Sequence, residues 1–168
     1  SGAGKSTVAA AVEERLVAAG HHTYLLDGDR VRQGLNADLG FGELDRRENL
    51  RRLAEVARTL AEAGLIVLVA CIAPSAADRA RARELLGGDY VEVHVDAPLE
   101  VCERRDPKGH YRRARAGTLA QFTGVGAPYE VPASPDLRID TAALGIADAA
   151  AAVIEHLARA GRVGRADA

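Results

Sequence analysis

The first seven residues of the chain constrain its fold more strongly than any other stretch. They read SGAGKST, which matches the second half of the phosphate-binding loop pattern G-x-x-x-x-G-K-[ST]. Small residues let successive backbone N–H groups converge on phosphate oxygens without obstruction by side chains. The pattern assigns Lys5 to the β- and γ-phosphates and the Ser6 hydroxyl to Mg²⁺. The stretch therefore predicts a binding site for a nucleoside triphosphate.

A helix directly after such a loop distinguishes it from a glycine-lysine-serine string in a flexible linker. Residues 7–19 supply one, because Val8, Val12 and Leu16 recur every four residues and Gly20 can end the helix. In this architecture the loop follows a buried central strand. We therefore expect such a strand ahead of Ser1, in the middle of the sheet.

Length and composition limit the class of protein. The 168 residues fit one domain, and the net charge of −2 gives no general attraction to nucleic acid or to an anionic membrane. No run of 18 apolar residues predicts a transmembrane helix, and no signal peptide is visible. Cys71 and Cys102 are interpreted as reduced, buried residues of a cytoplasmic protein. We expect a single domain over residues 1–161 and a disordered tail over residues 162–168.

Strand-like and helix-like segments alternate along the chain. The predicted strands span residues 22–26, 65–70, 90–95 and 137–140, and the predicted helices include 31–36, 45–63, 75–86 and 146–160. Asp45 is expected to cap the second of these helices. The order predicts an α/β fold of the P-loop NTPase type, with three layers of which the central one is a parallel sheet.

Two acids follow the first predicted strand. Asp27 and Asp29 flank Gly28, and by itself an Asp-Gly pair is more typical of an ordinary turn. The phosphate-binding loop upstream reverses that preference, because α/β sheets place their chemistry at the carboxyl ends of the strands. We expect both acids to face one crevice.

A basic stretch lies at residues 104–115. It has three interpretations: a solvated helix face, a nucleic-acid patch, or a mobile lid that closes over phosphates. The negative net charge argues against nucleic acid, and cations beside a triphosphate site favour the lid, which we place at about residues 104–130.

Four strings in this order resemble the adenylylsulfate kinase family of P-loop kinases: LDGDRVRQGLNADLGF, DRRENLRRLAEVARTLAEAGLIV, VDAPLEVCERRDPKGHYRRARAGTLAQFTG and APYEVP. The resemblance covers residues 1 to about 141. It implies a kinase that uses ATP and Mg²⁺ to phosphorylate the 3′-hydroxyl of adenylylsulfate, which gives 3′-phosphoadenylylsulfate in sulfate activation. Members of this family often form homodimers and can be associated with an ATP sulfurylase.

The resemblance also implies a role for each matching residue. Lys5, Asp27 and Asp29 would be catalytic, with Asp29 orienting the ribose hydroxyl and Asp27 joining Ser6 at the metal. Phe41 and Phe122 would sandwich the adenine of adenylylsulfate. The implied ATP contacts are Gly2, Ala3, Gly4, Lys5, Ser6, Thr7, Arg104 and Arg105. The implied adenylylsulfate contacts are Asp27, Asp29, Arg32, Phe41, Arg46, Asn49, Ile72, Lys108 and Phe122.

Two residues depart from the family pattern. Arg30 stands where asparagine is usual, and Ala73 stands where serine is usual. Alanine cannot be phosphorylated, which favours direct transfer to the substrate. Two alternatives remain open. One is a kinase of the same fold with another nucleoside-like acceptor, in a pocket altered by Arg30. The other is a catalytically silent nucleotide-binding domain attached to an ATP sulfurylase or a similar partner.

Overall fold

The computed structural model describes residues 1–119 and 122–164. Its strands are β1 (Thr23–Asp27), β2 (Ile66–Ala70), β3 (Val93–Asp96) and β4 (Leu137–Asp140). A short 3₁₀ helix spans Gly87–Asp89. The α-helices are α1 (Lys5–Ala18), α2 (Gly28–Val31), α3 (Glu43–Glu62), α4 (Ala76–Leu86), α5 (Leu99–Arg105), α6 (His110–Arg115) and α7 (Ile146–Arg159).

All four strands lie in parallel pairs. β1 pairs with β2, with Thr23 opposite Ile66, and β3 pairs with β4, with Val93 opposite Leu137. The predicted α/β class with parallel strands is confirmed. The described strands form two sheets, because β2 and β3 do not pair with each other; the middle strand expected ahead of Ser1 is not among them.

A shared apolar core unites the two sheets. Val8, Val12 and Leu16 of α1 are buried against α7, as their four-residue spacing predicted, and Ile139 of β4 joins them. Side chains of both β2 and β3 pack on this cluster. Since full burial of a large aliphatic side chain stabilises a fold by roughly 1.5–3 kcal/mol, this core fixes α1 and the loop before it.

The helices that follow β1 differ from their predicted bounds. α2 begins at Gly28, not at residue 31, because the Asp27 side chain accepts backbone hydrogen bonds and caps it. Residues 32–38 form turns. α3 begins at Glu43, after extended backbone at Gly42, so Asp45 lies inside the first turn and is not the cap. Leu53 and Ala57 of α3 pack on Leu26 of β1.

Packing continues beyond α7. Val163 is buried in the main core, and Arg162 forms an ion pair with Asp89. The expected disorder therefore does not hold for Arg162 and Val163, because Val163 packs in the apolar core and Arg162 pairs with an acidic side chain. Residues 165–168 of the predicted tail, and residues 120–121 of the predicted lid, lie outside the described residues. No helix within residues 1–119 and 122–164 is long and apolar enough to cross a membrane.

Candidate active site

A single cleft of about 760 Å³ opens at the carboxyl ends of β1 and β2, and it extends past the end of β4. It contains nearly every residue that the sequence nominated: Gly2, Gly4, Lys5, Ser6, Thr7, Asp27, Asp29, Arg32, Phe41, Arg46, Asn49, Ile72, Arg105, Lys108 and Phe122. Ala3 and Arg104 do not line it. We call the part around residues 2–7 the loop half and the part around residues 32–49 the arginine half.

The backbone of the loop half requires glycine at two positions. Gly2 has a φ of +76° and Gly4 a φ of +89°, both in the left-handed region. A Cβ atom on Gly2 would lie 2.7 Å from the carbonyl oxygen of Cys102, closer than real Cβ contacts come. Gly4 then caps α1, so the N-terminal N–H groups of that helix begin in the cleft, where they favour anions.

Thr141 and Arg105 hold the loop from outside. The Thr141 hydroxyl donates a hydrogen bond of 2.8 Å to the carbonyl oxygen of Ala3, and Arg105 donates bonds of 3.0 and 2.6 Å to Thr141 Oγ1 and O. Ala3 thus contributes its backbone to the loop, while its side chain packs against the small cluster of Cys102, Tyr111 and Phe122. The sequence analysis did not nominate Thr141, although its position directly after a strand is typical of functional residues in α/β sheets.

The Lys5 side chain is a partly buried cation in the cleft. Burial lowers the pKa of Lys5 from its ordinary value, although nearby acidic groups oppose this. Burying a positive charge costs free energy that an anion beside it offsets. A phosphate group in the loop would supply those negative charges.

Ser6 and Asp27 meet across the cleft floor. Ser6 Oγ donates a hydrogen bond of 2.5 Å to Asp27 Oδ2, and Asp27 Oδ1 accepts the backbone N–H groups of Asp29 and Arg30 at 2.9 and 3.4 Å. Partial burial opposes ionisation, but these three bonds prevail and hold the pKa of Asp27 below its ordinary value. Asp27 is therefore a carboxylate at neutral pH.

Asp29 lies in α2, two residues after Asp27, and faces the predicted lid. Its Oδ2 accepts a charge-assisted hydrogen bond from Lys108 Nζ, in the turn between α5 and α6. The Asp29 side chain is 58% exposed, so a ligand in the cleft can reach it. The expectation that both acids face one crevice is confirmed, since Asp27 and Asp29 line the same cleft.

Two arginines shape the arginine half. Arg32 Nη1 donates to the carbonyl oxygens of residues 39 and 40 at 3.1 and 2.8 Å, and its guanidinium lies 4.5 Å from the centre of the Phe41 ring. Arg46 Nε donates to the Phe41 carbonyl at 2.8 Å, and Arg46 Nη1 donates to Thr123 Oγ1. Phe41 is held at the surface with 57% of its area exposed, ready to receive a flat ligand.

Phe122 has a different setting from Phe41. Only 7% of it is exposed, and its ring packs edge-on against Tyr111 at 4.9 Å and His110 at 5.8 Å. Both phenylalanines line the cleft, but Phe122 also forms the small core under the predicted lid. His110, Arg113 and Thr123 line the cleft from the same segment and were not nominated.

The wall that contains Ile72 is fixed from behind by Arg79. Ala73 has a φ of +42°, a conformation that non-glycine residues seldom adopt. Arg79 Nη1 donates to the Ala73 carbonyl at 2.7 Å and Nη2 to the Glu130 carbonyl at 2.8 Å. Arg79 is 7% exposed and is paired with Glu92, 3.0 Å away. No sequence pattern distinguishes this arginine from its neighbours in α4.

The sequence analysis also did not predict a second arm of the cleft. Leu144, Ile146 and Ala149 line it beyond Thr141, between the loop and the start of α7. This arm is apolar and adjoins the loop half, so it suits the flat, apolar part of a nucleotide.

The chain was compared with known proteins. A sequence model of the family described as adenylylsulphate kinase matches residues 1–140. The adenylyl-sulfate kinase of Geotalea uraniireducens is 53% identical over 160 residues, which are 95% of this chain and 77% of that protein. The bifunctional enzyme NodQ of Azospirillum brasilense is 58% identical over 96% of this chain, which corresponds to 26% of its own length.

The solved structures agree. The Mycobacterium tuberculosis APS kinase CysC, in complex with AMPPNP and APS, superposes with a TM-score of 0.91 at 52% identity, covering 94% of this chain and 92% of that one. The family match over residues 1–140, together with these relatives, shows that the chain belongs to the adenylylsulphate kinase family.

Proposed function

We propose that this chain transfers the γ-phosphate of ATP to the 3′-hydroxyl of adenylylsulfate, with Mg²⁺, and so forms 3′-phosphoadenylylsulfate. The observation that carries the proposal is one cleft in which a phosphate-binding loop, an exposed carboxylate and an aromatic–arginine pocket meet. Its relative from Mycobacterium tuberculosis holds AMPPNP and APS in a fold that matches with a TM-score of 0.91.

The loop half is the donor side. Backbone N–H groups of residues 2–7 receive the phosphates of ATP, Lys5 neutralises charge on the β- and γ-phosphates, and the apolar arm at Leu144 and Ile146 receives the base. Phosphoryl transfer depends on in-line positioning and on neutralisation of charge more than on covalent help. A loop held by Thr141 and Arg105, with the partly buried cation of Lys5, satisfies both needs.

Ser6 and Asp27 fit a magnesium site. Their oxygens, 2.5 Å apart, are hard ligands of the kind Mg²⁺ accepts beside substrate phosphates and waters. Ser6 and Asp27 would hold the ion there, and its positive charge would offset the negative charge of the phosphates. Asp27 would be ready for this role without losing a proton, because its pKa is already low.

Asp29 acts on the acceptor. Its carboxylate orients the 3′-hydroxyl and takes the hydroxyl proton late in the reaction. The 3′-oxygen forms a bond to the γ-phosphorus, the bond from that phosphorus to the β–γ bridging oxygen breaks, and the electron pair leaves with ADP. Since Ala73 offers no hydroxyl, the phosphoryl group passes directly to the substrate.

The arginine half holds adenylylsulfate. Phe41 and Phe122 contact the adenine, Arg32 and Arg46 contribute positive charge toward its anionic groups, and Ile72 and Lys108 complete the pocket. Arg30, the unusual residue next to Asp29, does not line the cleft and presents an exposed side chain. This placement favours adenylylsulfate over an altered acceptor.

We also propose that residues 104–130 close over the substrates as a lid. Two contacts support this: Lys108 donates a hydrogen bond to Asp29, and Thr123 accepts one from Arg46, so the segment already contacts one acid and one arginine of the cleft. We further propose a homodimer and an association with ATP sulfurylase, the latter supported by the bifunctional relative from Azospirillum brasilense.

The direct test is a turnover assay. The intact protein is incubated with Mg²⁺-ATP and adenylylsulfate, and ADP and 3′-phosphoadenylylsulfate are measured, with adenosine 5′-monophosphate as the control acceptor. We expect rapid product with adenylylsulfate and little with the control. ATP binding without product from adenylylsulfate would contradict the proposal.

A further inference from the structure

The two asparagines of the sequence, Asn36 and Asn49, are bonded to each other. Asn36 lies in the turns after α2, has 0% exposed area and does not line the cleft. Its Nδ2 donates a hydrogen bond of 3.0 Å to Asn49 Oδ1. Asn49 is in α3 and does line the cleft. A fully buried amide therefore contacts a residue of the site from behind.

Asn36 is not the residue that would give the greatest stability at this position. Its Oδ1 is buried and has no hydrogen-bond partner within residues 1–119 and 122–164. An unsatisfied buried acceptor costs free energy, and an apolar side chain of similar shape would avoid that cost. The amide uses only its NH₂ group, in the bond to Asn49, and leaves its oxygen unsatisfied, which points to a role in orienting Asn49.

The bond determines which way the Asn49 amide faces. Each amide has one acceptor oxygen and one NH₂ donor group. If both amides were reversed, Asn36 would bury an unsatisfied NH₂ with two donors in place of one unsatisfied carbonyl, and orphaned donors are tolerated less well. The observed arrangement commits Asn49 Oδ1 to Asn36 and leaves the Asn49 NH₂ group as the donor for the cleft.

We propose that Asn36 is a positioning residue that holds Asn49 with its NH₂ group toward the acceptor pocket, where it donates to an acceptor atom of adenylylsulfate. The inference rests on the proposed function. Asn36 touches no substrate, so its effect reaches the reaction only through Asn49. The binding of ATP, in the loop half, does not depend on this pair.

A double-mutant cycle tests the proposal. Asn36→Leu preserves the side-chain shape but frees the Asn49 amide to reverse, and we expect the KM for adenylylsulfate to rise roughly three- to tenfold, the effect of one hydrogen bond. The KM for ATP should stay unchanged. In an Asn49→Leu background, Asn36→Leu should add nothing further to the KM for adenylylsulfate. Equal increases in both KM values, or additive effects of the two substitutions, would overturn the proposal.

A second measurement needs no folded variant of Asn36. Labelling the wild-type protein with ¹⁵N-asparagine marks the side-chain amides of Asn36 and Asn49, the two asparagines of residues 1–168. Titration with adenylylsulfate and ADP should shift the Asn49 NH₂ signals more than those of Asn36. An unchanged Asn49 signal despite saturated binding would refute the donor role. A wild-type protein that does not bind adenylylsulfate would instead refute the proposed function.

Discussion

The two halves of the cleft are built by different means. The loop half is built mainly from backbone: two glycines in the left-handed region, the start of α1, and the Ala3 carbonyl oxygen held by Thr141. The arginine half consists of side chains that reach across the chain, such as Arg46 to Thr123, 77 residues apart. α1 is anchored in the largest core, whereas Phe41 is 57% exposed.

The difference teaches where rigidity is needed. Phosphates require a fixed set of N–H groups, and a loop anchored in a packed core supplies it. The other half must admit and release a bulky nucleotide, which suits contacts that open at modest cost. The two halves should therefore respond differently to substitution: changes to the loop half should affect stability and ATP together, and changes to the arginine half should affect the acceptor alone.

Asp29, between the halves, should give the largest effect. Asp29→Asn removes the proton acceptor but keeps the size of the side chain, so we expect kcat to fall by roughly 10²–10⁴-fold with ATP affinity retained. The measurement is steady-state kinetics with a separate ATP-binding titration.

Two controls interpret this result. Asp38→Asn neutralises an exposed carboxylate that pairs with Arg52 outside the cleft lining, and it should leave kcat unchanged. Lys108→Met removes the ion-pair partner of Asp29, and a loss of kcat equal to that of Asp29→Asn would mean that Asp29 acts by holding Lys108 and not as the base. Turnover of Asp29→Asn near the wild-type value would exclude it as the base.

Gly2→Ala should give the next largest effect, on the loop half. The substitution places a Cβ 2.7 Å from the Cys102 carbonyl at a φ of +76°. We expect the free energy of unfolding to fall by roughly 2–4 kcal/mol, as strain and a steric clash add. The KM for ATP should rise at the same time, because the N–H groups of the loop must shift.

Gly20→Ala is the matched control, since Gly20 has a φ of +83° and nothing within 4 Å of its added Cβ. It should cost only the conformational part, about 1–2 kcal/mol, and leave the KM for ATP unchanged. Chemical denaturation and kinetics measure both quantities. If Gly2→Ala and Gly20→Ala changed the free energy of unfolding and the KM for ATP equally, the close approach of the loop to α5 would not matter for ATP binding.

The contrast between the halves also explains what the sequence could predict. The loop and α1 follow from local rules, because glycine conformation and the spacing of Val8, Val12 and Leu16 depend on neighbours in the chain. The residues of the arginine half were nominated only through the resemblance to a family. Nothing local marks Arg32 or Asn49 as part of a pocket.

Other features depend on contacts that no local pattern encodes. Arg79 matters because its guanidinium reaches the Ala73 and Glu130 carbonyls, and Asn36 because its amide reaches Asn49. The predicted start of α3 was two residues late: Gly42 precedes the helix with extended backbone, and Asp45 lies in the first turn.

Phe41→Ala should give a smaller effect, confined to the arginine half. Stacking of a base on an aromatic side chain contributes about 1–3 kcal/mol, and for an exposed ring we expect the lower end, a rise of roughly fivefold in the KM for adenylylsulfate. The KM for ATP and the melting temperature should stay unchanged. Leu44→Ala, which removes a side chain 74% exposed and outside the cleft lining, is the control. An equal rise in both KM values would contradict the stacking role.

The smallest expected effect is a pH dependence that belongs to the loop half. Hydrogen bonds from Ser6 and from the N–H groups of Asp29 and Arg30 outweigh burial and lower the pKa of Asp27 in the folded state. A carboxyl with a lower pKa when folded contributes stability that is present above its unfolded pKa of about 3.9 and lost as pH falls through the folded value. The free energy of unfolding of the wild type should therefore decrease from about pH 5 downward more steeply than that of Asp27→Asn. Denaturation series between about pH 2 and 6 measure the difference. Parallel curves would mean that the Ser6–Asp27 contact does not link the site to the stability of the fold, and the loop half would then depend on its backbone alone.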